Sequence, residues 1–539
     1  MPTSSLLPLP KWHIALALVF LTVFFALNVH SLHRMSPTTD EEKHYLYGEN
    51  ILKLNSERFD DSKMPFSAFN ALPKKLSGPF PAGAIRTFLQ ELSTARLITV
   101  FFSMGVALLV HHWTRELYGN HAGLLALFLY TWDPNIIAHS MLVTTDVYAL
   151  GMMLFSLYCF WKFLNQPSWK TGLLSAFVLG LSQLAKYTSV FLYPLFLMIV
   201  VVFFAPQWLA ALREKAYPKF FRYLGHFARF SLLFLLVSLL VINVGFLFNR
   251  TFTPLPAYHF DSTLFQSLQE KLSALGDLPV PVPYPYLQGL DMVRYRERSG
   301  FGYGRLYLFG ELRESGGFPG YYFYATLLKM PIATQLTLLT AFVIYLRRFT
   351  LQQFRQNEQF LLLPALFFII YFNFFYGAQI GIRFFIVVFP LGYILSGKLV
   401  QHWAQVTNRQ KIFGGVLAVY LVASVLSYHP HYIPYFNELV WDRRFAYKFL
   451  ANADVDWEQA DYYLEEYLAE HPNARVEPLH ARDGLTIVSV NALVGAVGDR
   501  NQFAWLRDNF EPDATIGYMY LVYFITTPEY RQVFPEPVP

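Results

Sequence analysis

Apolar residues in this chain fall in long blocks rather than at alternating or one-faced helical spacing. The blocks span residues 13–32, 95–112, 122–142, 147–164, 172–185, 189–205, 230–248, 330–346, 360–376, 384–400 and 412–428. Most approach the roughly 20 consecutive apolar residues that an α-helix needs to cross a bilayer. A helix apolar on every side is buried in protein or in lipid. The expected fold is therefore mainly α, a polytopic transmembrane helical bundle of about 11 spans. Blocks 172–185 and 189–205 are short and parted only by Lys186-Tyr187-Thr188, as in a helical hairpin or a single broken element. The first block follows Lys11, is too long for a signal-peptide core and lacks an Ala-x-Ala-like site, so it reads as a membrane anchor.

Three polar stretches interrupt the blocks. Residues 33–93 are Pro-rich from Met64 to Pro81 and predict short interfacial helices such as Ile85 to Leu92. Residues 249–329 form the second. The third, 429–539, mixes a polar helical stretch (Asp456 to Ala469) with strand-like runs at Leu485–Val490 and Ile516–Ile525. It reads as a small extracytoplasmic α/β domain following a transmembrane module of residues 1–428. No internal repeat is visible.

Composition agrees: 54% of residues are hydrophobic and 15% charged, against about 25% charged in soluble domains. The net charge of +5 includes no basic run that would point to nucleic acid. Cys159 is the single cysteine, which excludes an intrachain disulfide. With the N-terminus in the cytoplasm, Lys and Arg crowd the inner loops, and the short outer loops carry only Lys186 and Arg383. The expected location is a bacterial inner (plasma) membrane, with the large loops and C-terminal domain extracytoplasmic.

Two acidic motifs then lie on that outer face: Thr38-Thr39-Asp40-Glu41-Glu42 and Thr144-Thr145-Asp146. Ionisable residues at a membrane edge are functional candidates; the alternative for each aspartate is a helix N-cap. Asp40, Glu41 and Asp146 are the candidate catalytic group. Lys186 and Arg383 suit a phosphate, Arg as a fork and Lys as a point charge, with snorkelling to lipid as the alternative. Tyr45, Tyr307, Glu311 and Lys329 are further candidate substrate contacts, in segments whose aromatics also suit an interfacial belt. His429, His431, Asp454 and Asp456 have no diagnostic metal spacing.

Asp40-Glu41 after the first block, Thr144-Thr145-Asp146 before the fourth and Leu184-Ala185-Lys186-Tyr187 after the fifth resemble GT-C membrane glycosyltransferases. The likeness is to the phospholipid carrier-dependent branch, which includes protein O-mannosyltransferases and the lipid A aminoarabinose transferase. Tyr307-Leu308-Phe309-Gly310-Glu311, Lys329-Met330-Pro331-Ile332, Gly381-Ile382-Arg383-Phe384 and the stretch from His429-Pro430 to Tyr435-Phe436-Asn437-Glu438 extend it. The resemblance covers most of residues 10–200 and 285–460. It implies inverting transfer of a sugar from a polyprenyl-phosphate carrier to a hydroxyl of a protein, lipid or glycan. Asp40 would be the catalytic carboxylate, a general base, with Asp146 as the positioning or second acidic group, and Lys186 and Arg383 would hold the donor phosphate. The chain departs from the branch at Asp454-Val455-Asp456-Trp457-Glu458-Gln459, where Glu458 replaces a glycine and restricts the backbone.

The resemblance implies a reaction that needs no metal, so no cofactor is expected; Mg²⁺ or Mn²⁺ on Asp40, Glu41 and Asp146 is the chemically compatible alternative. The rival functions are a transporter or lipid-linked sugar flippase and a non-catalytic polysaccharide-assembly subunit. Transporters gather polar groups and broken helices at mid-bilayer and often show inverted repeats.

Overall fold

The computed structural model describes residues 9–55 and 62–535. Among these residues, seven helices are long and apolar enough to span a membrane: Lys11–Arg34, Leu92–Tyr118, Asp146–Asn165, Tyr187–Arg213, Tyr217–Gly245, Leu351–Phe374 and Asn408–Leu426. A helix pair, Tyr321–Lys329 and Ile332–Arg347, is apolar enough to join them as a broken span or a re-entrant loop, bent by 116° at Met330-Pro331. The chain is an integral membrane protein.

The remaining apolar blocks are also helical but short or broken. Block 122–142 divides into Asn120–Thr131 and Pro134–Ser140. Between them, Asp133 caps the second helix by accepting the N–H groups of Asn135 (2.8 Å) and Ile136 (2.9 Å), and it accepts the Tyr393 hydroxyl at 2.7 Å. Block 172–185 is the 15-residue helix Trp169–Gln183. Block 384–400 is built from turns of 3₁₀-helix around Phe389–Ser396. Pro134, Pro331 and Pro390 each stand at the start of a new helix, where a missing N–H costs nothing. Interrupted backbone is tolerated at membrane depth only where protein covers it, and residues 130–154 are buried throughout.

Small residues let the helices close up. Trp169–Gln183 packs along Tyr217–Gly245 so tightly that a Cβ on Gly180 would lie 2.7 Å from Val241 Cβ. At the basic end of the bundle, the buried ion pair Lys398–Glu358 (2.8 Å) and the half-buried pair Lys162–Glu116 (2.7 Å) lock neighbouring helices.

The opposite end carries the polar segments. In the first, helices Glu41–Leu52, Ser67–Leu76 and Ala84–Gln90 pack on one another and the last two against span Leu92–Tyr118, the last near the interfacial helix expected at Ile85 to Leu92. In the second, helix Tyr284–Ser299 precedes an antiparallel hairpin of β1 (Leu306–Leu308) and β2 (Glu311–Arg313). The C-terminal segment holds helix Asp461–Glu470 and a four-stranded sheet. Its strands are β3 (Arg475–Val476), β4 (Gly484–Ser489), β5 (Ala514–Ile516) and β6 (Tyr520–Ile525), ordered β3-β4-β6-β5. β3 pairs parallel to β4, and the other pairs are antiparallel. This α/β unit is tied to the end of the first span, where Ser36 donates its N–H to Gln459 O (3.2 Å) and its hydroxyl to Glu458 O (2.6 Å).

Candidate active site

Asp40, the residue before helix Glu41–Leu52, makes no capping hydrogen bond with its side chain. Its carboxylate turns to the bundle instead, 2.7 Å from Arg383 Nη1 and 3.8 Å from Lys63 Nζ. Asp146, in the first turn of its span, lies 2.5 Å from Lys186 Nζ and 4.0 Å from the same Arg383 nitrogen. One guanidinium thus joins the two aspartates, flanked by a lysine on each side. All five side chains line one open cavity of about 860 Å³ at the polar end of the bundle.

The local fold explains how Arg383 arrives there. Gly381 takes a φ of +147°, and its face meets the Ala453 backbone. Ile380 O accepts the Ala453 N–H at 3.1 Å, and Asp454 accepts the Ile382 N–H at 2.9 Å. The C-terminal segment therefore fixes the turn that presents Arg383. Its guanidinium also lies over Trp457, 4.1 Å from the ring centre, a cation–π contact. Its Nε is buried without a hydrogen-bond partner.

Electrostatics divide the groups. Burial works to raise the Asp40 pKa, but Arg383 and Lys63 outweigh it and hold the carboxyl well below the usual carboxylate range. Burial and Lys63 hold His44 down at about 3, so its ring is neutral. Lys63 donates to His44 Nε2 at 3.4 Å while Nδ1 faces Ser67 Oγ at 3.3 Å. The cluster contains three cations (Lys63, Lys186, Arg383) and two carboxylates (Asp40, Asp146), a surplus of one positive charge.

The other sequence candidates lie elsewhere. Glu41 is fully buried, and both its oxygens are filled: Arg96 donates at 2.9 and 2.6 Å, Val143 N–H at 2.9 Å, and Thr38 through N–H (2.9 Å) and hydroxyl (3.2 Å). It is a strut tying the first loop to span Leu92–Tyr118, through Arg96, and to the turn before span Asp146–Asn165, through Val143. Tyr45 faces away, under Lys74. Tyr307 packs inside the β1–β2 hairpin, and Glu311 pairs at the surface with Arg313 at 2.8 Å. Lys329 is buried and donates to Ile433 O (2.9 Å) and to Asp454 O, which anchors the C-terminal segment. His429 pairs with His30 at 2.6 Å, and Asp454 accepts the Tyr321 hydroxyl at 2.7 Å. Among the described residues no three metal-type ligands gather.

Lys63, His44 and Trp457 are cavity groups that the sequence left unmarked. Lys63 stands in a polar loop where lysine is ordinary. Trp457 belongs to the segment whose departure at Glu458 was visible, so that departure was the available signal.

Residues 83–220 match the sequence family described as dolichyl-phosphate-mannose-protein mannosyltransferase. This bears out the resemblance read from the motifs, over the stretch holding Asp146 and Lys186; Asp40 and Arg383 fall outside it. No curated protein matches the chain significantly. Similar solved structures include the apo oligosaccharyltransferase of Archaeoglobus fulgidus (14% identity, TM-score 0.45, 77% of this chain and 54% of that one). Another is that archaeal enzyme, AglB, in complex with an inhibitory peptide and a dolichol-phosphate (15%, 0.45, 85% and 59%). A third is ArnT from Cupriavidus metallidurans bound to undecaprenyl phosphate (14%, 0.30, 95% and 97%). The chain spans about half the length of the archaeal enzyme.

Proposed function

We propose that this protein is a membrane glycosyltransferase that moves a sugar, with inversion, from a polyprenyl-phosphate carrier to a hydroxyl acceptor on the extracytoplasmic face. The observation that carries this reading is the single guanidinium of Arg383 shared by Asp40 and Asp146 in an open cavity at the polar end of the bundle. The family match over residues 83–220 supports the reaction class.

In the reaction, the acceptor oxygen attacks the anomeric carbon and the bond from that carbon to the phosphate oxygen breaks. The electron pair leaves on the phosphate, and the hydroxyl proton passes to Asp40. A phosphate is a good leaving group, so the tasks for the protein are to take that proton and to hold the departing charge. Arg383, Lys186 and Lys63 do the second.

A carboxylate held far below its usual range is a weak base. Arg383 resolves this difficulty, because a donor phosphate competes with Asp40 for the same guanidinium. Phosphate binding draws off the charge that depresses Asp40 and raises its pKa. The base is thereby strengthened only when donor is present, and Asp146 keeps Lys186 and Arg383 in register.

The donor set does not fit a divalent cation. Glu41, one of the three expected ligands, has both oxygens filled, and Asp40 and Asp146 already face three cations. The surplus positive charge suits the single negative charge of a prenyl-phosphate sugar and repels a metal ion.

The test is incubation of the purified protein with labelled undecaprenyl-phosphate sugar. Loss of the lipid-linked label, dependent on Asp40, supports the proposal. Relocation of intact donor between leaflets without its consumption would favour the flippase.

A further inference from the structure

The same cavity has a second pole of opposite sign, which the donor chemistry leaves unused. Its C-terminal wall carries Glu458, Asp461 and Glu477 around the buried Asp456. Their hydrogen-bond partners are neutral: Asp456 accepts the Asn491 N–H at 2.9 Å, and Asp461 accepts the Tyr520 hydroxyl at 2.8 Å. Glu477 accepts the Ser489 N–H (3.2 Å) and hydroxyl (2.7 Å). Burial, aided by Glu458 and Glu477, pushes the Asp456 carboxyl up to about 7.

A separate observation points to a missing donor on this wall. Asn452, 6% exposed and lining the cavity, gives its amide N–H to Arg305 O at 3.1 Å, yet its Oδ1 has no hydrogen-bond partner. The Asn452 backbone N–H donates at 2.7 Å to the Asn491 side chain, whose own backbone holds Asp456. A buried amide oxygen without a donor is costly. Glu458 completes the wall from a left-handed backbone, φ +67°, where a glycine would sit without strain.

We propose that this wall is the acceptor subsite and that it takes a hydroxyl-bearing acceptor carrying an ammonium group while rejecting anionic ones; the inference rests on the sugar-transfer reading above. The wall offers several acceptor oxygens and negative charge, and an ammonium supplies three N–H donors and the matching sign. The anionic donor phosphate is directed to the Arg383 pole, so charge alone sorts the two substrates to opposite ends of one cavity.

The experiment uses the full-length protein in detergent, with ethanolamine and glycolate as probes of equal size and opposite charge. Binding is followed by saturation-transfer NMR, with undecaprenyl phosphate titrated in parallel. Ethanolamine should bind at least about tenfold tighter than glycolate, and a Glu458→Gln/Glu477→Gln variant should cut that preference to under about threefold. Retained undecaprenyl phosphate affinity shows that the variant is folded. Equal binding of the two probes, no saturable ethanolamine binding, or an intact preference in the variant overturns the proposal. Failure of undecaprenyl phosphate to bind the wild-type protein would instead sink the donor reading beneath it.

Discussion

Asp40→Asn keeps the shape of the site and removes one charge, and its two consequences have opposite signs. The lost base should lower kcat by about 10²–10⁴-fold, the usual contribution of a positioned proton acceptor, or roughly 3–5 kcal/mol. Donor binding should tighten. The cluster has three cations and two carboxylates, so the surplus charge rises from one to two, and Arg383 no longer has a carboxylate 2.7 Å away to satisfy. Two unit charges about 7 Å apart at an effective dielectric constant of about 20–40 interact by roughly 1–2 kcal/mol. That corresponds to about fivefold to thirtyfold in donor affinity. Stability should fall by about 1–3 kcal/mol, because the buried Arg383 and Lys63 lose the carboxylate they are paired with. Titration with undecaprenyl phosphate and single-turnover consumption of labelled donor measure the two effects separately. Full activity in the variant, or weakened donor binding by variant protein that is still folded, would refute the reasoning and return Asp40 to a structural role.

As the proposed base, Asp40 should also set a pH signature: protonation would remove the base, so activity should fall as pH falls through its pKa. In the donor-free enzyme that pKa is held down, so the acid limb of kcat/KM should lie below the ordinary aspartate value of about 3.9, while the limb of kcat should lie above it. A shared limb position would count against release of Arg383 by the donor. Glu41→Gln should cost about 3–5 kcal/mol of stability by breaking a buried, fully bonded ion pair with Arg96, seen as a lower Tm, with near-normal turnover per folded molecule. Glu458→Gly should raise stability by about 1 kcal/mol by relieving a left-handed glutamate, and Glu458→Gln should not.

The spans were legible because a bilayer demands consecutive apolar residues and punishes every exception. The same rule made Lys186 and Arg383 visible, since cations are rare in short loops expected to face outward. The sequence could not give direction. Asp40 and Glu41 are neighbours, yet one faces the cavity and the other is consumed by Arg96; Tyr45, Tyr307 and Glu311 are chemically suitable but face elsewhere. Nor could it show that Arg383, 343 residues from Asp40, closes the site, or that Lys63 joins it from an ordinary polar loop.

The sequence by itself determined the solvent each segment must meet, because hydrophobic burial depends on composition along the chain. Only the tertiary structure decided which charges meet. A charge pair depends on distances of a few ångströms between elements that packing, the Gly381 turn and the Ser36 contacts bring together.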